Sequence, residues 1–293
     1  MTLRLALLLA AAGLAGAHPA AARSPQAAAA HEADRREHVS IVDEGGTGPA
    51  VLLIPGLSSP RAVWAGVVPA LRAGHHVFTV QVNGFGGDDP GGNLKPGILD
   101  GTVAEVDAFI VAKKLRRPAV IGHSMGGLIG MMLAKGHPDH IGRLLIVDSL
   151  PYVGESFRQG VTVAQVEPQA RAMRDQIAGN YGKPHNPAAV EALANSLAAT
   201  PDARAQVKAW MQEADPRVSG QAMYEDMTTD LRPDVAGFAL PITLVYPAQG
   251  DELYHAVFGK APRVTYVPVA GAGHFVMLDK PAEFAKAVDA FLK

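Results

Sequence analysis

A serine, a histidine and two aspartates carry most of the chemistry this sequence could do. Ser124 stands in Gly122-His123-Ser124-Met125-Gly126, between the apolar run 118–121 and the helix-like run 127–134. A serine on so sharp a turn is held in strained backbone geometry, with its hydroxyl lifted clear of the sheet. Glycine is needed two residues to either side, because a side chain there would collide with the neighbouring strand or helix. His274 lies in Gly271-Ala272-Gly273-His274-Phe275, just past the last strand-like run. Asp251, in Gln249-Gly250-Asp251-Glu252, follows the run before it, and Asp148 closes an earlier one.

Each residue type has a physical role to fill. A serine hydroxyl attacks poorly until an imidazole accepts its proton. The imidazole needs a carboxylate to fix its tautomer and to stabilise it once charged. The spacing assigns Ser124 as nucleophile, His274 as base and Asp251 as the orienting acid. Asp148 is the alternative acid; it or Ser149 could equally cap the segment that follows. Glu252 and Asp230 are weaker candidates. The oxyanion formed on attack needs preorganised donors, each worth about 3 kcal/mol of barrier. The backbone N–H groups of Met125, directly after the nucleophile, and of Leu57, after Pro55-Gly56, are expected to supply them.

The remaining candidates have plainer readings. His123 adjoins the nucleophile, but a side chain at that point of the turn faces away from the substrate, so a structural role is expected. The other histidines, among them the pair His75-His76 and the scattered His137, His140 and His185, follow no strand in the required position. None stands at metal-ligand spacing with a carboxylate, so neither a metal nor another cofactor is expected.

The elements that must hold these groups are legible as alternating strands and helices. Residues 38–42 alternate like an edge strand. The run 50–54 is continuously apolar, as in a parallel strand buried on both faces. Further strands are expected at 76–80, 118–121, 143–148, 242–246 and 264–269. Helices are expected at 62–71, 101–115, 127–134 and 282–292, the last opened by Pro281. Right-handed crossovers between such elements build a parallel sheet covered on both faces. From about 151 to 235 the strands stop. Ala-rich segments punctuated by Pro168, Pro184, Pro187, Pro201 and Pro216 predict a helical cap inserted between two strands. Met173, Met211, Met223, Met227, Trp210, Tyr181 and Tyr224 populate it, mostly as core, and its composition predicts a roomy apolar pocket.

With 293 residues, 48% of them hydrophobic, the chain can bury one large core. A net charge of −2 gives no basic footprint and excludes a nucleic-acid partner on electrostatic grounds. The absence of cysteine rules out a thiol nucleophile and thiolate metal sites. Arg4, the Leu/Ala run 5–14 and the small residues after it have the layout of a secretory signal peptide, expected to span 1–22. Residues 23–37 follow as a flexible lead-in, and 38–293 as one domain. The expected localisation is secreted or periplasmic, with no membrane insertion once the signal is removed. Nothing in the sequence sets an oligomeric state.

From about His38 to Lys293 the chain resembles the α/β-hydrolase superfamily, in its single-domain esterase, lipase and peroxidase-like branch. The resemblance rests on Leu52-Leu53-Ile54-Pro55-Gly56 with Trp64 downstream, Asn83-Gly84-Phe85-Gly86-Gly87, Gly122-His123-Ser124-Met125-Gly126-Gly127 and Gly271-Ala272-Gly273-His274. The order Ser, Asp, His along the chain is also that family's. Two features depart from its pattern. Pro55-Gly56 replaces the usual His-Gly, and Pro247-Ala248-Gln249-Gly250 intervenes between a strand and Asp251. The resemblance implies an α/β-hydrolase fold and a cofactor-free serine hydrolase acting on small to medium carboxylic esters through an acyl-enzyme. Lactone hydrolysis, carbon–carbon bond hydrolysis, perhydrolysis and acyl transfer remain alternatives on the same residues. A ligand-binding or sensory homologue is a further one, since fold does not fix function.

Overall fold

The computed structural model describes residues 33–293. The expected signal peptide and most of the expected lead-in lie outside the described residues. Eight strands form one sheet: β1 (Asp34–Arg35), β2 (Val39–Gly45), β3 (Ala50–Ile54), β4 (His76–Val82), β5 (Ala119–His123), β6 (Arg143–Val147), β7 (Ile242–Pro247) and β8 (Val264–Val269). Their order is β1-β2-β4-β3-β5-β6-β7-β8. β1 and β2 pair antiparallel, and every pair from β4 to β8 is parallel. The lead-in is thus not wholly flexible. Asp34 and Arg35 pair with Ile41 and Ser40, a bridge too short for any periodicity to betray.

Ten α-helices accompany the sheet among the described residues: α1 (Val68–Leu71), α2 (Ile98–Ala112), α3 (Met125–Gly136), α4 (Val163–Ala178), α5 (Pro187–Leu197), α6 (Pro201–Glu213), α7 (Pro216–Thr228), α8 (Asp251–Phe258), α9 (Val276–Asp279) and α10 (Pro281–Leu292). Successive side chains on a strand point to opposite faces, and β3 shows the consequence. Leu52 and Ile54 pack with Val106, Phe109 and Leu128 of α2 and α3. Val51 and Leu53 pack with Trp64, Leu71 and Phe284 on the other face. Burial on both faces is why these strands are continuously apolar.

The single helix expected over 62–71 is instead a 3₁₀ turn, Arg61–Trp64, followed by α1. Gly66 falls in the gap, and Pro69, which has no N–H to donate, fits the first turn of the short new helix.

Helices α4–α7 lie between β6 and β7 and form the inserted cap. Asn186, Thr200 and Asp215 cap α5, α6 and α7, each followed by a proline in the first turn. Pro168, expected to end a helix, lies inside α4 instead. The cap has its own apolar cluster, in which Met173 and Met227 pack with Tyr152, Val166 and Ala170. Tyr181 is exposed and lies under the Arg217 guanidinium, 3.5 Å from the ring centre.

Candidate active site

β3, β5, β6, β7 and β8 run parallel, so the loops leaving their carboxyl ends share one edge of the sheet, where sites form in such folds. The register sets Ile54 opposite Gly122. Two residues further on, Gly56 and Ser124 come side by side. A Cβ on Gly56 would stand 3.0 Å from the Ser124 Cβ and 2.9 Å from His123 Nδ1.

Ser124 joins β5 to α3 with φ 52° and ψ −123°. A non-glycine residue holds such a conformation only where its surroundings impose it, at a cost of about 1–3 kcal/mol. The surroundings are tight: a Cβ on Gly122 would lie 2.2 Å from the Gly126 carbonyl oxygen, and one on Gly126 2.3 Å from that of Ile54. The turn is tied down by the Ser124 N–H donating to Val147 and by the Gly127 N–H donating to the Ser124 carbonyl at 2.7 Å. Among the described residues the backbone N–H groups of Leu57 and Met125 have no backbone acceptor. Met125 opens α3, where unsatisfied donors and the helix dipole favour negative charge.

His274 follows β8. Its Nδ1 donates to Asp148 Oδ2 at 2.6 Å, and the Tyr254 hydroxyl donates to Asp148 Oδ1 at 2.7 Å. The acid paired with His274 is therefore Asp148, which corrects the assignment of Asp251. β7 ends at Pro247, a 3₁₀ turn takes residues 248–250, and Asp251 becomes the first residue of α8. There it is half exposed, accepts from the Tyr246 hydroxyl at 2.6 Å and lies 3.7 Å from His255 Nε2. Tyr246 and Tyr254 stack at 4.0 Å, so each of the two tyrosines serves a different aspartate. Tyr254 is buried beside the Asp148 carboxylate, and burial first and that charge second hold its hydroxyl well above the usual range.

His123 is fully buried, its ring 4.6 Å from that of His274 and 4.7 Å from that of Phe275. Burial first, and the neighbouring His274 second, depress its pKa far below the ordinary value. In the neutral form its Nε2–H donates to the His274 carbonyl at 3.1 Å. The side chain thus props the His274 loop from behind.

The alpha/beta hydrolase family model matches residues 51–287. The chain belongs to this family. It is 26% identical over 263 residues to the pimeloyl-[acyl-carrier protein] methyl ester esterase of Aeromonas hydrophila, covering 86% of this chain and 98% of that one. Among solved structures, a thermophilic esterase from Thermogutta terrifontis superposes with a TM-score of 0.72 at 18% identity, covering 87% of this chain and 92% of that one. The enol-lactonase from Burkholderia xenovorans gives 0.69 at 21% identity, over 87% and 96%. At such identities the structural matches speak for the fold. The sequence relative is a hydrolase over nearly its whole length, and hydrolysis is the coarse activity class of this α/β hydrolase.

Three features of the site were not anticipated from the sequence. One is Tyr254. Another is Asp279 in α9, whose carboxylate accepts from the Gly273 N–H at 2.8 Å, from the Ala199 and Thr200 N–H groups at 2.9 Å and from the Thr200 hydroxyl at 3.1 Å. It fastens the His274 loop to the linker between α5 and α6, so loop and cap are one mechanical unit.

The third is Asp226 on α7. It is partly accessible at the surface of the helix. Burial pushes its carboxyl up to about 7, with the nearby His274 charge acting in the opposite direction. An unfolded carboxyl ionises near 3.8. Between the two values only the folded chain keeps the proton, so this contribution to stability is complete below about pH 4 and is lost as the pH rises through 7. The ceiling on that loss is about 4 kcal/mol. Solvent reaching the partly accessible carboxyl reduces it, and about 1–2 kcal/mol is expected. Asp226→Asn should therefore gain stability over the wild type as pH rises from 5 to 8 in denaturant titrations. A difference that stays constant with pH would contradict the raised pKa.

One grouping among the described residues could hold a metal, and it lies away from this site. Asp107 Oδ1 is 2.5 Å from His140 Nδ1, and Asp107 Oδ2 is 3.3 Å from His137 Nδ1. The expectation that neither histidine meets a carboxylate is corrected: α2 brings Asp107 to the loop after α3. That loop is a helix length from Ser124, at the opposite edge of the sheet. The three side chains contact one another as a polar cluster.

Proposed function

We propose that this α/β hydrolase is a serine esterase acting on small to medium carboxylic esters. The observation that carries the reading is the 2.6 Å bond from His274 Nδ1 to Asp148, on the loop beside a serine held at φ 52°. In this reading His274 Nε2 accepts the Ser124 proton as Oγ attacks the ester carbonyl, and Asp148 stabilises the resulting imidazolium. The Leu57 and Met125 N–H groups receive the oxyanion. Collapse of the tetrahedral intermediate expels the alcohol, which takes the proton from His274. Water, activated by the same imidazole, then releases the carboxylic acid and restores Ser124. Each step uses groups the chain itself supplies.

Hydrolysis of p-nitrophenyl esters from acetate to palmitate tests this. The expected result is a burst of p-nitrophenol stoichiometric with enzyme, and a mass increase equal to one acyl group on the peptide containing Ser124. The chain-length optimum measures the acyl length the site accepts. Absence of turnover and of acylation at every length would overturn the esterase reading. Lactone hydrolysis is the second reading, supported by the fold likeness to the enol-lactonase.

A further inference from the structure

The Asp107, His137 and His140 side chains converge at the end of α3 remote from Ser124. Two stretches of chain build the cluster. Helix α3 closes with the His137 N–H donating to the Leu133 carbonyl at 2.8 Å. Pro138 disfavours a helical residue before it, and His137 takes φ −136° and ψ 55°. The chain then bends, with the His140 N–H donating to the His137 carbonyl at 3.0 Å. Leu133 and Ile141, on either side of the bend, are fully buried, and the Gly142 N–H donates to the Pro118 carbonyl at 3.0 Å. So anchored, the bend presents its two imidazoles nearly parallel, 19° apart with 5.5 Å between ring centres. Asp107 meets them from α2.

The donors are of the kind a transition-metal dication takes. Both imidazoles turn the same nitrogen, Nδ1, to the carboxylate. Each residue offers one ligand atom, and the three atoms lie within 4.8 Å of one another. A tetrahedral zinc ion holds nitrogen and oxygen at about 2.0–2.2 Å, which sets neighbouring donors about 3.3 Å apart. His137 Nδ1 is already 3.3 Å from Asp107 Oδ2. His140 Nδ1 must withdraw from Oδ1 by about 1 Å, and its side chain, 42% exposed, has room to do so. With an ion in place each neutral ring carries its proton on Nε2, and neither Nε2 has a hydrogen-bond partner among the described residues. Calcium and magnesium take oxygen ligands, of which a single carboxylate supplies too few. Imidazole nitrogen selects zinc and its neighbours in the first transition row.

We infer that Asp107, His137 and His140 form a binding site for a zinc-class dication, with water completing a four-coordinate shell. The ion fastens α2 to the bend between α3 and β6. It acts on stability and not on the reaction, because the 12 residues of α3 hold it about 18 Å from Ser124. The inference is independent of the esterase reading.

The test titrates ZnCl₂ into chelator-treated, full-length protein by calorimetry, and CoCl₂ in parallel by visible absorption. The expected result is one equivalent of zinc bound with a Kd of about 10 µM or tighter, together with the intense visible bands of four-coordinate Co²⁺. The melting temperature should rise by about 5 °C at a hundredfold excess of zinc over Kd. His137→Gln combined with His140→Gln should weaken zinc binding by about a hundredfold and abolish the cobalt bands, and Asp107→Asn should weaken it by about tenfold. Without metal the variants should melt within about 2 °C of the wild type. Should the double variant not fold, His140→Gln alone, at the more exposed ring, carries the same test with a loss of about tenfold. Weaker binding by the wild type, a six-coordinate cobalt spectrum, or a zinc affinity that the substitutions leave unchanged would each overturn the site.

Discussion

Replacing Ser124 by alanine is expected to lower kcat on a p-nitrophenyl ester by about 10⁶-fold, with KM little changed. The residual rate, about 10³-fold above water, would come from binding and from the Leu57 and Met125 N–H groups, which the substitution leaves in place. The fold should survive. Alanine meets the same backbone strain at φ 52° that serine does, so the melting temperature of Ser124→Ala should match the wild type. Ser124→Gly separates strain from chemistry. Glycine accepts a positive φ without penalty, so this variant should be equally inactive and about 1 kcal/mol more stable. A stabilised, inactive glycine variant would mean that strain is held at the turn for the sake of the hydroxyl. Retention of more than a hundredth of the activity by Ser124→Ala would remove Ser124 as the nucleophile.

The parallel core was legible because burial on both faces leaves continuous apolar runs, and Ala50–Ile54 is a strand with those bounds. The elbow was legible for a local reason too. Its glycines are required by contacts with residues only a few positions away or on the adjacent strand, so the requirement is written into a five-residue pattern. Asp251 shows where such reasoning ends. Both Asp148 and Asp251 follow strands, and both satisfy the order Ser, Asp, His. What separates them is one extra turn after β7, which carries Asp251 past the strand end and into α8. Asp226 and Asp279 lay further from reach. Their roles depend on how the cap is rotated onto the sheet, through contacts such as Ser58 with Ser219 and Gly273 with Asp279. No periodicity in the cap helices encodes that rotation.

The choice between the two acids has the second-largest consequence. Asp148→Asn is expected to reduce kcat by about 10⁴-fold at neutral pH. An amide at this point cannot stabilise the imidazolium, and its NH₂ group favours the wrong His274 tautomer. Asparagine is the informative substitution because Asp148 has φ 43°, a left-handed conformation that asparagine tolerates and alanine resists. Loss of activity in Asp148→Asn then reports on chemistry, and the melting temperature should fall by only a few degrees. Asp251→Asn loses its bond from Tyr246 at the surface of α8 and should keep at least a third of wild-type kcat. Tyr254→Phe removes the hydroxyl that holds Asp148 Oδ1 and leaves the His274 bond in place, so its loss should lie between the two, about tenfold. The ordering Asp148→Asn, then Tyr254→Phe, then Asp251→Asn follows from which group touches the imidazole, which touches the acid, and which touches neither. A 10⁴-fold loss in Asp251→Asn with Asp148→Asn near wild type would reverse the assignment. It would require His274 to leave the carboxylate 2.6 Å away for one at the start of α8.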